Sequence, residues 1–206
     1  MLLLESPLVE IDKSIAFYTK LGFEISQEKD GYLAKENRFA ILLNSSPSSK
    51  AAIHLYNAEK TKSFHGPSGI LIHLIENECP YALGKKQSIL GNYYGVSLET
   101  DSLENSFNLW NELGYKGNYT PNQGWIELNK AGHHLSLHQT NQCPHSFFNP
   151  SLTFFNAQKN KEIIENIKQL EVPIEEEVIF SAEEKIAQNI ILKDPGGLGF
   201  FIFNDG

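Results

Sequence analysis

One ten-residue pattern occurs twice in this chain and constrains its fold more than any other feature: residues 14–23, SIAFYTKLGF, and residues 106–115, SFNLWNELGY. In the first copy Ile15, Tyr18 and Leu21 fall at i, i+3 and i+6, with Phe17 and Leu21 at i, i+4, which is one apolar stripe on a short helix. Gly22 follows the stripe, where a helix stop needs the left-handed backbone that glycine adopts most readily. Phe23 then opens an extended run. Phe107, Leu109, Trp110, Leu113, Gly114 and Tyr115 take the same places in the second copy. A weaker third copy follows, in which Ile164, Ile167 and Leu170 repeat the stripe and Glu171 stands where the others have glycine. Repetition of this kind means one supersecondary unit used several times, each burying its sheet face on a neighbour.

Strand signals flank each predicted helix. In the first unit, residues 2–5 read as a strand, Asp12 as the helix N-cap, and 32–34 with 39–43 as a hairpin after the extended run from Phe23. The second unit starts at 96–99. Asp101 and Glu104 take the N-cap and N3 places of its helix, and 125–128 with 133–138 form its hairpin. In the third unit, 152–155, 175–180, 190–193 and 199–203 are extended. Between the first two units, 52–56 and 70–75 read as buried strands, whereas 76–92 shows no period and receives no element. The expected division is a first βαβββ module with an irregular extension over residues 1–92, and paired second and third modules over 93–206. Three units where pairs are expected leave one sheet edge in need of a partner, which a homodimer would supply.

Composition excludes several classes of function. Seventeen Lys and Arg against 25 Asp and Glu leave a net charge of −8, and no basic stripe suits a phosphate backbone, so no nucleic-acid partner is expected. No stretch is long and apolar enough to span a membrane, and the amino-terminal MLLLESPL lacks the length and basic flank of a signal peptide. Cys79 and Cys143, without C-x-x-C spacing, read as two free thiols in a reducing compartment, and the expected location is the cytoplasm. The Gly196-Gly197-Leu198-Gly199 stretch lacks a lysine and a following helix, so it reads as a turn and not as a phosphate loop.

Asp12, Ser14, Phe17, Tyr18, Leu21, Gly22 and Phe23 at the front, with Asp194, Pro195 and Gly197 before the last strand, resemble the signature of the vicinal oxygen chelate superfamily. That superfamily comprises the glyoxalase I, bleomycin-resistance and extradiol-dioxygenase fold. The resemblance implies an α+β protein whose repeated βαβββ modules form curved mixed sheets around a cavity for a metal or small molecule. For metal-using members it implies His, Gln or Glu ligands from the first and last strands of two modules. Carried over, the first-strand place falls near Leu3 to Glu5 in unit one, where only Glu5 could ligate, and near Tyr94 or Gly95 in unit two. The last-strand place falls on Ser136 and Phe201, and His73 takes it in the strand after the Gly66-Pro67-Ser68-Gly69 turn. The usual ligand set is thus incomplete.

Five of seven histidines lie on predicted strands: His54, His73, His133, His134 and His138. His134, Ser136 and His138 share one face, and His133 points opposite. Imidazoles lining one cavity could bind a divalent metal, or else serve as hydrogen-bonded sheet residues. Trp125 and Glu127 share a face on the hairpin partner and make that hairpin the best cavity candidate. The expected ligand-binding residues are therefore Tyr32, His54, His73, Trp125, Glu127, His134 and His138, with no catalytic residue assigned. The leading expectation is a metal-free or metal-optional binder of an aromatic or amphipathic small molecule. The alternative is a divalent-metal lyase, isomerase or dioxygenase using His54, His73, His134 and His138 with Glu127. A structural or interaction module is the third class.

Overall fold

Three ten-residue helices, α1 (Ile11–Lys20), α2 (Leu103–Glu112) and α3 (Asn160–Gln169), end in the same kind of turn. The computed structural model describes residues 2–46, 49–180 and 187–204. In it the residue after each C-cap has a positive φ: 84° at Gly22, 91° at Gly114 and 52° at Glu171. The next amide then reaches back over the helix end, from Phe23 to the Tyr18 carbonyl (3.0 Å), Tyr115 to Trp110 (2.9 Å) and Val172 to Ile167 (3.4 Å). This double cap satisfies carbonyls that the helix leaves unpaired. It also seats the following aromatic on the helix: the Phe23 and Tyr18 rings lie 5.3 Å apart, and Tyr115 and Trp110 5.2 Å.

The N-termini differ from the sequence reading. Asp12 lies inside the first turn of α1, and the N-cap, Glu10, makes no side-chain cap bond. The N-cap of α2 is Ser102, whose side chain accepts from the Asn105 amide, while Asp101 accepts from the Thr140 hydroxyl at 2.7 Å.

The strands form two mixed sheets. The first holds β1 (Leu2–Pro7), β2 (Glu24–Glu28), β3 (Gly31–Lys35), β4 (Ala40–Asn44), β5 (Ala52–Tyr56), β6 (Lys62–His65) and β7 (Leu71–Ile75), in the order β2-β3-β4-β1-β5-β7-β6. The second holds β8 (Tyr93–Thr100), β9 (Lys116–Gly117), β10 (Trp125–Lys130), β11 (His133–Gln139), β12 (Ser151–Phe155), β13 (Glu176–Val178), β14 (Asn189–Lys193) and β15 (Gly199–Phe203). Its order is β13-β14-β15-β12-β8-β11-β10-β9. In each sheet two modules join through their first strands, β1 to β5 and β8 to β12, both antiparallel. Residues 52–75 are thus a fourth, partial unit beside the three legible ones. In it β5, β7 and β6 stand where β12, β15 and β14 stand, with no helix between β5 and β6. The first strand of this partial unit, β5, pairs with β1.

Period-two alternation divides every long strand between two environments. Leu2 and Leu4, Ile41 and Leu43, Ile53 and Leu55, and Ile72 and Leu74 point to one side of the first sheet. Val96 and Leu98, Leu135 and Leu137, and Phe200 and Ile202 do the same in the second. These rows, with the buried faces of all three helices, form a single apolar cluster. The other rows are left for different partners. Leu3, Leu33, Ala40 and Leu42 pack there with Tyr56 and Tyr81, and Tyr81 belongs to the irregular 76–92 segment.

A buried polar clasp ties the first unit to the last. The Asp194 carboxylate accepts from the Ser6 hydroxyl and the Tyr18 hydroxyl, both at 2.7 Å, and from the Leu198 amide at 2.7 Å. Burial pushes the Asp194 carboxyl above its ordinary value, against the pull of those bonds, and burial likewise raises Tyr18. Among the described residues no helix is long and apolar enough to cross a membrane.

The three helix stops differ in chemistry but not in geometry, which fixes the sign of two substitutions. Glu171→Gly is expected to stabilise the fold by about 1 kcal/mol, because an L residue in the left-handed region is strained. Gly22→Ala is expected to cost about 1–2 kcal/mol for the same reason. An added Cβ at Gly22 meets Ile89 Cγ2 at an ordinary 3.5 Å, so its cost is conformational and not a clash. Urea unfolding of the two variants measures both.

Candidate functional site

The open row of the first sheet carries a carboxylate and two imidazoles. Glu5 lies on β1, His54 on β5 and His73 on β7. The register sets Leu3 beside His54 and Glu5 beside Ala52, so Glu5 and His54 are diagonal neighbours across an antiparallel pair. His54 lies directly beside His73 in the parallel β5–β7 ladder, with ring centroids 4.7 Å apart. Each of the three offers a ligand atom, and these atoms all lie within 4.8 Å of one another.

Hydrogen bonds aim this set. His54 Nε2 and Glu5 Oε2 are 2.6 Å apart, and because a carboxylate only accepts, the proton sits on the imidazole. The other Glu5 oxygen accepts from Asn44 Nδ2 (2.8 Å) and Ser49 Oγ (2.6 Å). Burial works to raise the Glu5 carboxyl, but the bonds from His54, Ser49 and Asn44 outweigh it and hold the group below its ordinary value. Ser63 Oγ meets His73 Nδ1 at 2.7 Å, which leaves Nε2 to face a ligand. Burial, with His54 alongside, lowers the His73 pKa and favours the neutral imidazole that metals require. The donor set therefore fits a divalent ion. Two imidazoles and a carboxylate on one face, with other positions open, is the pattern of non-haem iron(II) sites. Leu3, Leu42, Tyr56 and Tyr81 wall the face.

The second sheet repeats the same positions with other chemistry. Thr153 pairs with Gly95 and with Phe201, as His54 pairs with Leu3 and with His73. Ser97 pairs with Ser136, as Glu5 pairs with Leu42. Glu5, His54 and His73 thus correspond to Ser97, Thr153 and Phe201. The diagonal contact persists as a buried hydroxyl pair, Ser97 Oγ to Thr153 Oγ1 at 2.7 Å. The first-strand counterpart of Glu5 is therefore Ser97, beyond the Tyr94 or Gly95 place expected from sequence.

The seven expected site residues divide between the two sheets. His54 and His73 join Glu5. Trp125, Glu127, His134 and His138 lie on β10 and β11, with Trp125 opposite His138 and their rings stacked at 6.5 Å. Glu127 Oε1 contacts His134 Nδ1 at 2.6 Å, and the Tyr94 ring stacks on His134 at 4.3 Å. Burial works to raise the Glu127 carboxyl, and hydrogen bonds from Tyr94 and His134 hold it low. His54 and His73 lie on the first sheet and His134, His138 and Glu127 on the second, and among the described residues no cluster able to hold a metal joins the two sets. Among the described residues the only such cluster able to hold a metal is Glu5, His54 and His73. Tyr32 packs on the shared core beside Leu43, since it has the opposite parity to Leu33 on β3. Glu5 was visible in the sequence as the one first-strand residue able to ligate. The β1–β5–β7 ladder that gathers the set was not.

A family model described as the Glyoxalase/Bleomycin resistance protein/Dioxygenase superfamily matches residues 9–200. No curated protein sequence matches the chain. Among solved structures, 2,2',3-trihydroxybiphenyl 1,2-dioxygenase from Sphingomonas wittichii strain RW1 aligns with a TM-score of 0.58 at 12% identity, covering 97% of this chain and 87% of that one. The 2,3-dioxygenase LapB from Pseudomonas sp. KL28 aligns at 0.58 and 15% identity, covering 97% and 90%. A variant of homoprotocatechuate 2,3-dioxygenase from Brevibacterium fuscum aligns at 0.61 and 12%, covering 97% and 70%. At these identities the likeness is one of fold.

Burial lowers the His138 pKa. Its folded value lies below the unfolded one, so its contribution to stability is present above about pH 6.5 and is lost as pH falls toward the folded pKa. Imidazole NMR should place the His138 midpoint below 6.5, and His138→Gln should unfold with a shallower dependence on acid than the wild type.

Proposed function

Because the chain belongs to the glyoxalase/bleomycin resistance protein/dioxygenase superfamily, we propose that it is a divalent-metal-dependent enzyme centred on Glu5, His54 and His73. The observation that carries this reading is the convergence of two imidazoles and one carboxylate on the open row of the first sheet. It supports the metal-dependent alternative over the metal-free binder expected first. Within that alternative, the donor set favours iron(II), and the dioxygenase names of the solved neighbours favour oxygenation of a small substrate with adjacent oxygens. A bound ion would polarise the substrate oxygens and bring dioxygen to them.

The chain's own residues have separable tasks. Asn44 and Ser49 fix the Glu5 carboxylate, and Ser63 fixes the His73 ring. Leu3, Leu42 and Tyr81 exclude water from one side of the face. Tyr56 lies beside His54, with ring centroids 6.4 Å apart, and burial raises its pKa. It therefore stays a phenol and can donate a hydrogen bond to a substrate oxygen.

Metal analysis of untagged protein reconstituted with iron(II) tests the proposal. About one equivalent per chain is expected in the wild type, with less than about a tenth in Glu5→Gln and His54→Ala, and about tenfold weaker retention in Ser63→Ala. Oxygen uptake with catechol should follow the loading. A wild type that holds no iron, manganese or zinc, or variants that hold as much as the wild type, would refute it.

A further inference from the structure

The open row of the second sheet encloses a cavity of about 280 Å³. Its floor is the place that corresponds to the metal set, where Ser97, Thr153 and Phe201 offer no imidazole or carboxylate. Its walls are rings in mutual contact. Phe201 lies 5.1 Å from Phe147 edge-on and 5.2 Å from Phe203 stacked, and Tyr94 lies 4.8 Å from Phe155. Trp125 closes the rim and is 55% exposed. None of the lining residues is Lys or Arg, and the one carboxylate among them is Glu127. His138, also in the lining, is held toward its neutral form by burial.

We infer that this cavity is a second, metal-independent site, which binds a planar aromatic cation of about two fused rings. Ring faces carry negative potential and attract a cation laid over them, and the Glu127 carboxylate at the edge, with no Lys or Arg in the lining, adds to the preference. A neutral ring of the same shape gains the stacking alone. An anion meets the Glu127 carboxylate, which Tyr94 and His134 hydrogen-bond, and gains least. The hydroxyls of Ser97, Thr153 and Ser136 leave the floor able to accept or donate one polar contact without fixing a charge. The site is independent of the Glu5 centre, because it lies on the other sheet and shares no residue with it.

Trp125 reports occupancy, since the other tryptophan, Trp110, is 1% exposed and packs in the core. Full-length protein in EDTA would be titrated with N-methylquinolinium, 2-naphthol and 2-naphthoate, with calorimetry as the second readout. Quenching of Trp125 with the cation tightest, and the anion about tenfold weaker or worse, is the expected order. Glu127→Gln should reduce the preference for the cation to the part that the ring faces supply and keep 2-naphthol binding. Ser136→Phe, which fills the cavity, should abolish binding of all three. Trp125→Ala, a change at an exposed rim, should weaken the cation by about fivefold with the melting temperature unchanged. The inference is overturned if no probe binds below about 1 mM, if the cation is not the tightest, or if folded Ser136→Phe or Trp125→Ala binds as the wild type does.

Discussion

Every long strand of this molecule sends alternate side chains to one apolar core shared by both sheets and three helices. That single constraint leaves the other row of each sheet free for chemistry. A one-residue slip in any ladder would move Leu4 or Ile53 out of the core and Glu5 or His54 into it, at the cost of an unpaired buried charge. The registers that pack the core therefore also aim the sites. Glu5, His54 and His73 share a face because Leu4, Ile53 and Ile72 must share the other.

The two sheets keep one geometry and exchange its contents. A diagonal polar contact joins the first strands in both, at 2.6 Å between Glu5 and His54 and at 2.7 Å between Ser97 and Thr153. In the first sheet the pair joins a carboxylate to an imidazole and continues to His73. In the second it is a neutral hydroxyl pair and continues to Phe201. Replacing an imidazole by a ring without nitrogen, beside Phe147 and Phe203, converts a place for a cation's ligands into a place for ring faces.

Much of this was legible in the sequence where a local rule decides. The helix stripes, the glycine stops and the hairpins after them follow from spacing of three to four residues and from alternation. Glu171 shows that the turn is set by the helix end and not by glycine, since it adopts the same left-handed turn with a side chain. The cap residues were misassigned because Asp101 and Ser102 are both good caps, and only the start of α2 one residue later decides between them. The members of the candidate metal set were named in the sequence, but their grouping was not legible because it depends on which strands become neighbours. His54 and His73 are 19 residues apart in a stretch with no helix signal, and nothing in their surroundings names β1 as the partner strand. Tyr32 has the same origin: its residue type suits a cavity, but the β3–β4 register turns it to the core.

The partial unit shows how the candidate metal set is held without a helix between its strands. The ligands come from first and last strands, and those strands are held by the ladders to β1 and to each other rather than by a helix of their own. A side chain of α2 in the following unit approaches the loop before β7. A Cβ added at Gly66 would lie 3.1 Å from Ile72 Cδ1 and 3.3 Å from Leu109 Cδ2, so Leu109 already reaches that loop. The Asp194 clasp to Ser6 and Tyr18 works in the other direction, fastening β1 and α1 to the last turn of the chain. With β1 held by the clasp and the loop before β7 met by Leu109, the Glu5–His54–His73 ladder is held by units that contribute none of its three side chains.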